Sequence, residues 1–145
     1  MPTRPPLRPR SVSPATSSTT LTGNDGINVL VGGLGIDTLR GNGGGDAFLW
    51  SSVGEVGLNN PDIVTDFNTA QDVLHFTNID ADETQPDDQN FSFRGTEAFT
   101  AAGQINWFSN GTDTFIQLNT NADLAADAIV QLNGVLSGDS VLMFL

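Results

Sequence analysis

Between residues 21 and 49, one large apolar residue recurs every nine positions, and glycine-rich polar segments separate the recurrences. The recurring apolar residues are Leu21, Leu30, Leu39 and Phe48. Residues 23–31, 32–40 and 41–49 form three complete units, each with glycine at its first and fourth positions. The sixth position holds Asn28, Asp37 or Asp46. Three consecutive matches at four positions are very hard to obtain by chance, so the pattern indicates a repeat architecture.

The nine-residue unit predicts a coil of short strands. The six residues up to the acid predict a tight loop, in which glycine allows a left-handed backbone. The other three residues predict a short strand whose middle side chain points inward. Two units complete one coil, and neighbouring coils then lie about 4.8 Å apart. The predicted fold class is therefore all-β, beginning with a short parallel β-roll.

Sixth-position side chains on neighbouring coils are predicted to face each other and to bind calcium. The pairs are Asn28 with Asp46 on one edge and Asp37 with Glu55 on the other. Calcium takes oxygen ligands at about 2.3–2.6 Å, so backbone carbonyls of the loops would complete each shell. The glycines expected to supply them are Gly32, Gly33, Gly35, Gly41 and Gly44. A metal-free turn cluster is the alternative, and repulsion between stacked acids disfavours it.

After residue 50 the pattern changes to the alternation of ordinary short strands. Strands are predicted within residues 62–67, 72–76, 91–93, 105–108, 114–118 and 128–132. Asn110-Gly111 between two of them predicts a hairpin turn, and residues 79–90 predict a polar loop. The predicted organisation is a Pro/Ser/Thr/Arg-rich disordered tail (1–20), the roll (21–56) and an antiparallel, β-sandwich-like C-terminal domain (57–145).

The net charge of the chain limits the classes of partner that are expected. Acidic residues outnumber basic ones by 17 to 5, which gives a net charge of −12. That excess disfavours nucleic acid and anionic lipid and favours a cation. There is no cysteine, so neither a disulfide nor a thiolate metal site is expected. No segment is apolar enough to predict membrane insertion or an N-terminal export signal.

The nine-residue units resemble the RTX nonapeptide G-G-x-G-x-D-x-U-x. The runs GGGDAFLW and PDIVTDFNTAQDVLHF, together with residues 87–134, look like the C-terminal domain of serralysin-type metallopeptidases. This resemblance covers about residues 21–145 and implies calcium binding and export through the type I secretion apparatus by an uncleaved C-terminal signal. It also implies that Asp62 and Asp72 help to close the terminal calcium sites and that Glu55 matches a family aspartate. Asn28 and Glu55 depart from the family pattern, which affects the expected affinity.

No catalytic centre can be assembled from this sequence, so no enzyme activity is expected. The peptidase part of the resembling family carries H-E-x-x-H, whereas this chain has a single histidine, His75. It alternates with Leu74 and Phe76 and is interpreted as a half-exposed strand residue. A second metal candidate, within residues 119–127, lacks the glycine and glutamate of an EF-hand loop and is interpreted as an acidic turn.

Three functions follow from these observations. The leading hypothesis is a secreted, extracellular module that calcium causes to fold and that carries its export signal in residues 139–145. The second is the tail of a secreted metallopeptidase. The third is a polysaccharide-binding roll, for which Trp50 and Trp107 are the candidate aromatic residues, although each is expected to lie in the core.

Overall fold

The computed structural model describes residues 18–59 and 61–145, so most of the predicted tail lies outside the described residues. Eleven strands form two sheets, a seven-stranded long sheet and a four-stranded short sheet. The strands are β1 (Thr20–Thr22), β2 (Val29–Leu30), β3 (Thr38–Arg40), β4 (Ala47–Leu49), β5 (Asp62–Val64), β6 (Val73–His75), β7 (Ser92–Phe93), β8 (Gln104–Ser109), β9 (Asp113–Asn119), β10 (Ala128–Asn133) and β11 (Leu142–Phe144). Two single-turn 3₁₀ helices, Val53–Glu55 and Gly138–Ser140, are the only helices of the described residues. The prediction of an all-β fold is confirmed.

The nine-residue repeat forms the predicted parallel roll. β1 pairs with β3 and β2 pairs with β4, both in parallel. Leu21 lies beside Leu39 and Leu30 beside Phe48, so each coil consists of two nine-residue units. Leu30, Leu39 and Phe48 are buried between the two sheets. The inward-pointing positions of the repeat are therefore confirmed.

The next coil is longer than the repeat predicts. Leu39 lies beside Val64 and Phe48 beside Leu74, so each of these partners is farther along the chain than two nine-residue units. The additional residues include the 3₁₀ helix Val53–Glu55. Because of this insertion, Asp62 rather than Glu55 lies next to Asp37, and the predicted pairing of Asp37 with Glu55 is wrong.

The roll and the antiparallel strands share their sheets. β8 and β9 form a hairpin through Asn110-Gly111, as predicted, and β10 pairs antiparallel with β9. On its other side β10 pairs in parallel with β5 of the roll. One core cluster extends through both parts, from Leu39 and Phe48 to Ile116 and Leu132. No break in either sheet coincides with the boundary predicted at residue 57.

The ends of the described chain also belong to the sheets. Thr20 begins β1, and the Thr19 amide donates to Asp37 Oδ1 at 2.8 Å, so the roll starts before residue 21. β11 pairs in parallel with β6 and forms an edge of the short sheet. Residues 79–90 contain no strand and are held by the Glu83 amide, which donates to the Thr120 carbonyl at 2.9 Å. The described residues include no helix long and apolar enough to cross a membrane.

Candidate metal centre

The sixth-position side chains form two columns that run from coil to coil. In each step, a carboxylate Oδ1 accepts the backbone amide of the equivalent residue on the preceding coil. The donor and acceptor pairs on the long-sheet side are Thr19 to Asp37 and Asp37 to Asp62, both at 2.8 Å. On the short-sheet side they are Asn28 to Asp46 at 2.8 Å and Asp46 to Asp72 at 2.9 Å. The predicted stacking of Asn28 with Asp46 is therefore present, and Asp62 and Asp72 extend the columns.

The aspartates of the columns differ in whether their second carboxylate oxygen, Oδ2, has a hydrogen-bond partner. Asp72 Oδ2 accepts the Asn68 amide at 2.8 Å, and Asp62 Oδ2 accepts Trp50 Nε1 at 2.8 Å. By contrast, Asp37 Oδ2 and Asp46 Oδ2 are buried and have no hydrogen-bond partner among the described residues. A buried carboxylate oxygen without a partner is unfavourable, because it has lost its hydration without compensation. A cation bound beside each of these oxygens would supply the missing partner.

Each unpartnered oxygen lies directly over the first glycine of its own loop. A Cβ atom on Gly32 would lie 2.6 Å from Asp37 Oδ2, and one on Gly41 would lie 2.2 Å from Asp46 Oδ2. Only glycine leaves room for the carboxylate in this position. The loops are therefore closed around the acids, with the first glycine of each loop against the carboxylate.

Oxygen atoms from two coils meet on the short-sheet side. A Cβ atom on Gly23 would lie 2.0 Å from Asn28 Oδ1 and 2.7 Å from the Gly41 carbonyl oxygen. Gly44, at φ +92°, brings its coil close to the Gly26 carbonyl oxygen of the coil before it. The space between these loops thus contains an amide oxygen and backbone carbonyls, which are ligands that calcium accepts.

The other predicted backbone ligands are in conformations that fit tight loops. Gly33 and Gly35 have positive φ values of 86° and 131°, respectively, in the loop that ends at Asp37. It remains a prediction that the carbonyl groups of these two glycines, and those of Gly32 and Gly41, bind a metal.

Glu55 lies outside the columns. Its Oε2 accepts the Ser51 amide at 2.9 Å, within the same turn as the 3₁₀ helix. It is nevertheless near enough to Asp62 for its charge to raise the pKa of Asp62. Glu55 therefore adds negative charge near the long-sheet column without stacking on Asp37.

Asp66 was not identified as a site residue from the sequence, although it supports the loop of the third nine-residue unit. Its two carboxylate oxygens accept the amides of Gly41 and Asn42 at 2.9 and 2.8 Å. Arg40 Nε lies 3.7 Å from Asp66 Oδ2. The separation in sequence between Gly41 and Asp66 equals that between Asp37 and Asp62. Only knowledge of the insertion would have revealed this correspondence.

Two of the buried carboxylates, those of Asp46 and Asp62, have raised pKa values. Burial raises the pKa of Asp62 from 3.8 to about 6, against the lowering effect of the hydrogen bonds from Trp50 and the Asp37 amide. Burial also raises the pKa of Asp46, and the nearby charges of Asp72 and Asp66 add to that increase. Ionisation of both carboxylates therefore costs more free energy in the folded protein than in water.

The donor set fits a hard, oxygen-liganded cation. No group of three or more His, Cys, Asp or Glu side chains in the described part of the chain is arranged to hold a metal ion. An ion bound here would therefore need several ligands from backbone carbonyls and other neutral oxygen atoms. Calcium tolerates such mixed, irregular oxygen shells better than magnesium or zinc does.

The other residues considered as functional candidates, the 119–127 turn, His75 and Trp50, make structural contacts. In the 119–127 turn, Asp127 accepts the Thr120 amide and the Asn121 side-chain amide, both at 2.7 Å, which agrees with an acidic turn. His75 is half-buried, and its ring contacts Phe144 with centroids 5.1 Å apart. Trp50 is buried and stacks on Phe76, as expected for a core residue.

Comparisons with known proteins agree with this architecture. The family model described as peptidase M10 serralysin C terminal matches residues 17–143. A sequence comparison with curated proteins finds no match. Among solved structures, the chain is similar to the AlgE6R3 subunit of the Azotobacter vinelandii mannuronan C5-epimerase. That similarity has a TM-score of 0.55 and 18% identity, and it covers 97% of this chain and 86% of the other. At this identity it shows the fold alone.

Replacing one of the two unpartnered carboxylates should weaken calcium binding. Asp46→Asn keeps the shape and the Oδ1 acceptor but removes the charge, and we expect a calcium affinity lower by at least about tenfold. Glu55→Gln, outside the columns, is the control and should change the affinity by less than about twofold. Isothermal titration calorimetry measures both. A larger loss in Glu55→Gln than in Asp46→Asn would restore the sequence-based pairing.

Protons should partly replace calcium in stabilising the fold. The pKa of Asp62 is raised in the folded state, so the folded form is favoured below its usual value of 3.8 and loses this advantage as the pH rises through about 6. Protonation of Asp62 favours the folded state by on the order of 2 kcal/mol. In calcium-free solution, circular dichroism should therefore show more β-structure at pH 5 than at pH 7.5. Asp62→Asn should weaken this pH dependence, whereas the exposed Asp123→Asn should not. Equal pH dependence in both variants would contradict the assignment.

Proposed function

Because the chain belongs to the peptidase M10 serralysin C-terminal family, we propose that it is a calcium-binding module that folds when calcium binds and that has no catalysis of its own. The observation that carries this proposal is the pair of buried oxygens without a partner, Asp37 Oδ2 and Asp46 Oδ2. The family description, a C-terminal part of serralysins, and the likeness in fold to the epimerase subunit both support a module of this kind.

Calcium would bind between coils that exist only in the folded chain. Asn28 and Asp46 are separated by two nine-residue units in sequence and are brought together by the pairing of β2 with β4. A ligand that binds only the folded state stabilises it, so the free energy of binding becomes free energy of folding. The module would therefore depend on calcium for its roll.

The column residues would have two different roles. Asp37 and Asp46 would contribute charged ligand atoms, and Asn28 a neutral one. Asp62 and Asp72 already have hydrogen bonds to both carboxylate oxygens, so they would act mainly by fixing the backbone of the coil before them. Glycine carbonyls would complete the shells. Calcium itself would supply the positive charge that compensates the stacked acids.

We further propose that the protein is secreted by a type I secretion apparatus and functions outside the cell. Extracellular calcium modules bind at about 10⁻⁴–10⁻³ M, which is well above cytosolic calcium concentrations. A chain with such sites would remain unfolded before export and fold afterwards. The C-terminal signal would lie in residues 139–145, which include β11.

A second candidate function is that of a metallopeptidase tail, and the family description favours it. In that case an upstream coding region in the same frame would encode H-E-x-x-H. Sequencing the gene upstream of residue 1 decides between the two: such a motif supports the tail, and its absence supports an independent module.

Calcium removal should unfold the roll. Far-UV circular dichroism should show loss of β-structure in a chelator and recovery in millimolar calcium, because the two unpartnered carboxylates lose their counter-ion. Millimolar magnesium is the control and should restore little, since magnesium requires a stricter octahedral shell. Identical spectra in chelator and calcium would show that the coils are stable without the metal.

Export should depend on the C-terminal end. Deleting residues 139–145 should abolish secretion by a matching type I exporter, whereas deleting residues 1–17 should not. Secretion is measured in the extracellular fraction. Because the C-terminal deletion also removes β11, folding of both variants in calcium is checked by circular dichroism. Normal secretion of the C-terminal deletion would mean that β11 is only an edge strand.

A further inference from the structure

The first nine-residue unit has its acid at a different position from the other two units. Asn28, at the sixth position, is neutral, whereas Asp25 stands at the third position. The third positions of the other two units hold Leu34 and Gly43, which carry no charge. Each of the three units therefore contains a single acid, and in the first unit this acid lies three residues earlier than the repeat pattern predicts.

Asp25 lies against the loop of the next coil on the short-sheet side. A Cβ atom on Gly43 would lie 3.4 Å from Asp25 Oδ1 and 3.6 Å from Asp25 Cβ. Gly43 is the third residue of its own unit, so the third positions stack with the same offset of two units as Asn28 and Asp46 do. Because Gly43 has no side chain, that of Asp25 can approach the backbone of the 41–46 loop.

The turn that contains Asp25 is closed without its carboxylate. Asn24 Oδ1 accepts the Gly26 amide at 2.8 Å and the Asn28 side-chain amide at 3.1 Å. The carboxylate of Asp25 is exposed and makes no hydrogen bond or ion pair with another described residue. Neither the turn nor the core therefore requires an acid at this position.

The same pair of loops contains the buried, unpartnered oxygen of the short-sheet column. Asp46 ends the 41–46 loop, is 1% exposed and has no hydrogen-bond partner for its Oδ2 within the described residues. The carbonyl oxygens of Gly26 and Asp25 face Gly44 of this loop, at 2.7 and 3.3 Å from the position that its Cβ would take. Asp46 thus approaches the contact between the two loops from the core, and Asp25 approaches it from the solvent.

The charge at this contact balances a divalent cation when Asp25 is included. Of the two stacked sixth-position residues, Asp46 supplies one negative charge and Asn28 supplies none. Arg40 is the one basic residue within residues 21–49, and it forms its ion pair with Asp66. Asp25 therefore has no cationic side chain to neutralise it, and the number of charged groups around a calcium site tunes its affinity.

We propose that Asp25 supplies the second negative charge of the calcium site on the short-sheet side, in place of the acid that is missing at Asn28, and that it sets the affinity of this site. The inference rests on the proposed calcium binding and extends it to a residue outside the two columns. The affinity of the site then depends on the total charge of the 23–28 loop and not on its sixth position alone.

The test is calcium titration calorimetry of the full chain at low ionic strength. Asp25→Asn should lower the apparent calcium affinity about fivefold. The double variant Asp25→Asn/Asn28→Asp moves the charge from the third to the sixth position, and its affinity should stay within about twofold of the wild type. Asp88→Asn is the matched control, since it removes another exposed carboxylate without a hydrogen bond, from the 79–90 loop, and should change the affinity by less than about twofold.

Two results would overturn the inference alone: a loss in Asp25→Asn no larger than that in Asp88→Asn, or a double variant as weak as Asp25→Asn. If circular dichroism shows that the double variant does not fold in millimolar calcium, the titrations of Asp25→Asn and wild type are repeated at high salt. The difference between them should then shrink, because salt screens an exposed charge, and an unchanged difference would overturn the inference. A wild-type protein that binds no calcium would overturn the proposed function as well.

Discussion

The structure depends on one repeated contact, in which a carboxylate at the end of a loop accepts the backbone amide of the equivalent residue one coil earlier. Asp62 holds Asp37 in this way, and Asp72 holds Asp46. The contact fixes the vertical spacing of the coils at their turns, where sheet hydrogen bonds have ended. It also buries the acids and brings them close together; burial raises the pKa of Asp46 and of Asp62, and the neighbouring negative charges add to the increase. The same arrangement that defines the roll also contains two buried carboxylate oxygens without a hydrogen-bond partner, Asp37 Oδ2 and Asp46 Oδ2.

The periodic part of this arrangement could be predicted from the sequence, and the irregular part could not. The nine-residue repeat correctly predicted the parallel coils, the inward Leu30, Leu39 and Phe48, and the stacking of Asn28 with Asp46. It failed at Glu55, because an offset of two repeat units is valid only while the coil length is constant. The insertion around Val53–Glu55 lengthens the coil and brings Asp62 to the expected position. Contacts such as the hydrogen bond from Trp50 to Asp62 decide which carboxylate oxygens have a partner. The sequence contains no periodic signal for these contacts.

Both sheets extend across the predicted boundary between roll and C-terminal domain, because a change of sequence pattern does not require a change of sheet. β10 pairs with β5 on one side and β9 on the other, so parallel and antiparallel strands are hydrogen-bonded in the same layer. Their inward side chains fill a common core in which Phe48, Trp50 and Ile116 are buried. A short roll of few coils would bury little apolar surface on its own. Packing against the antiparallel strands provides the missing core, so the two parts are expected to unfold together.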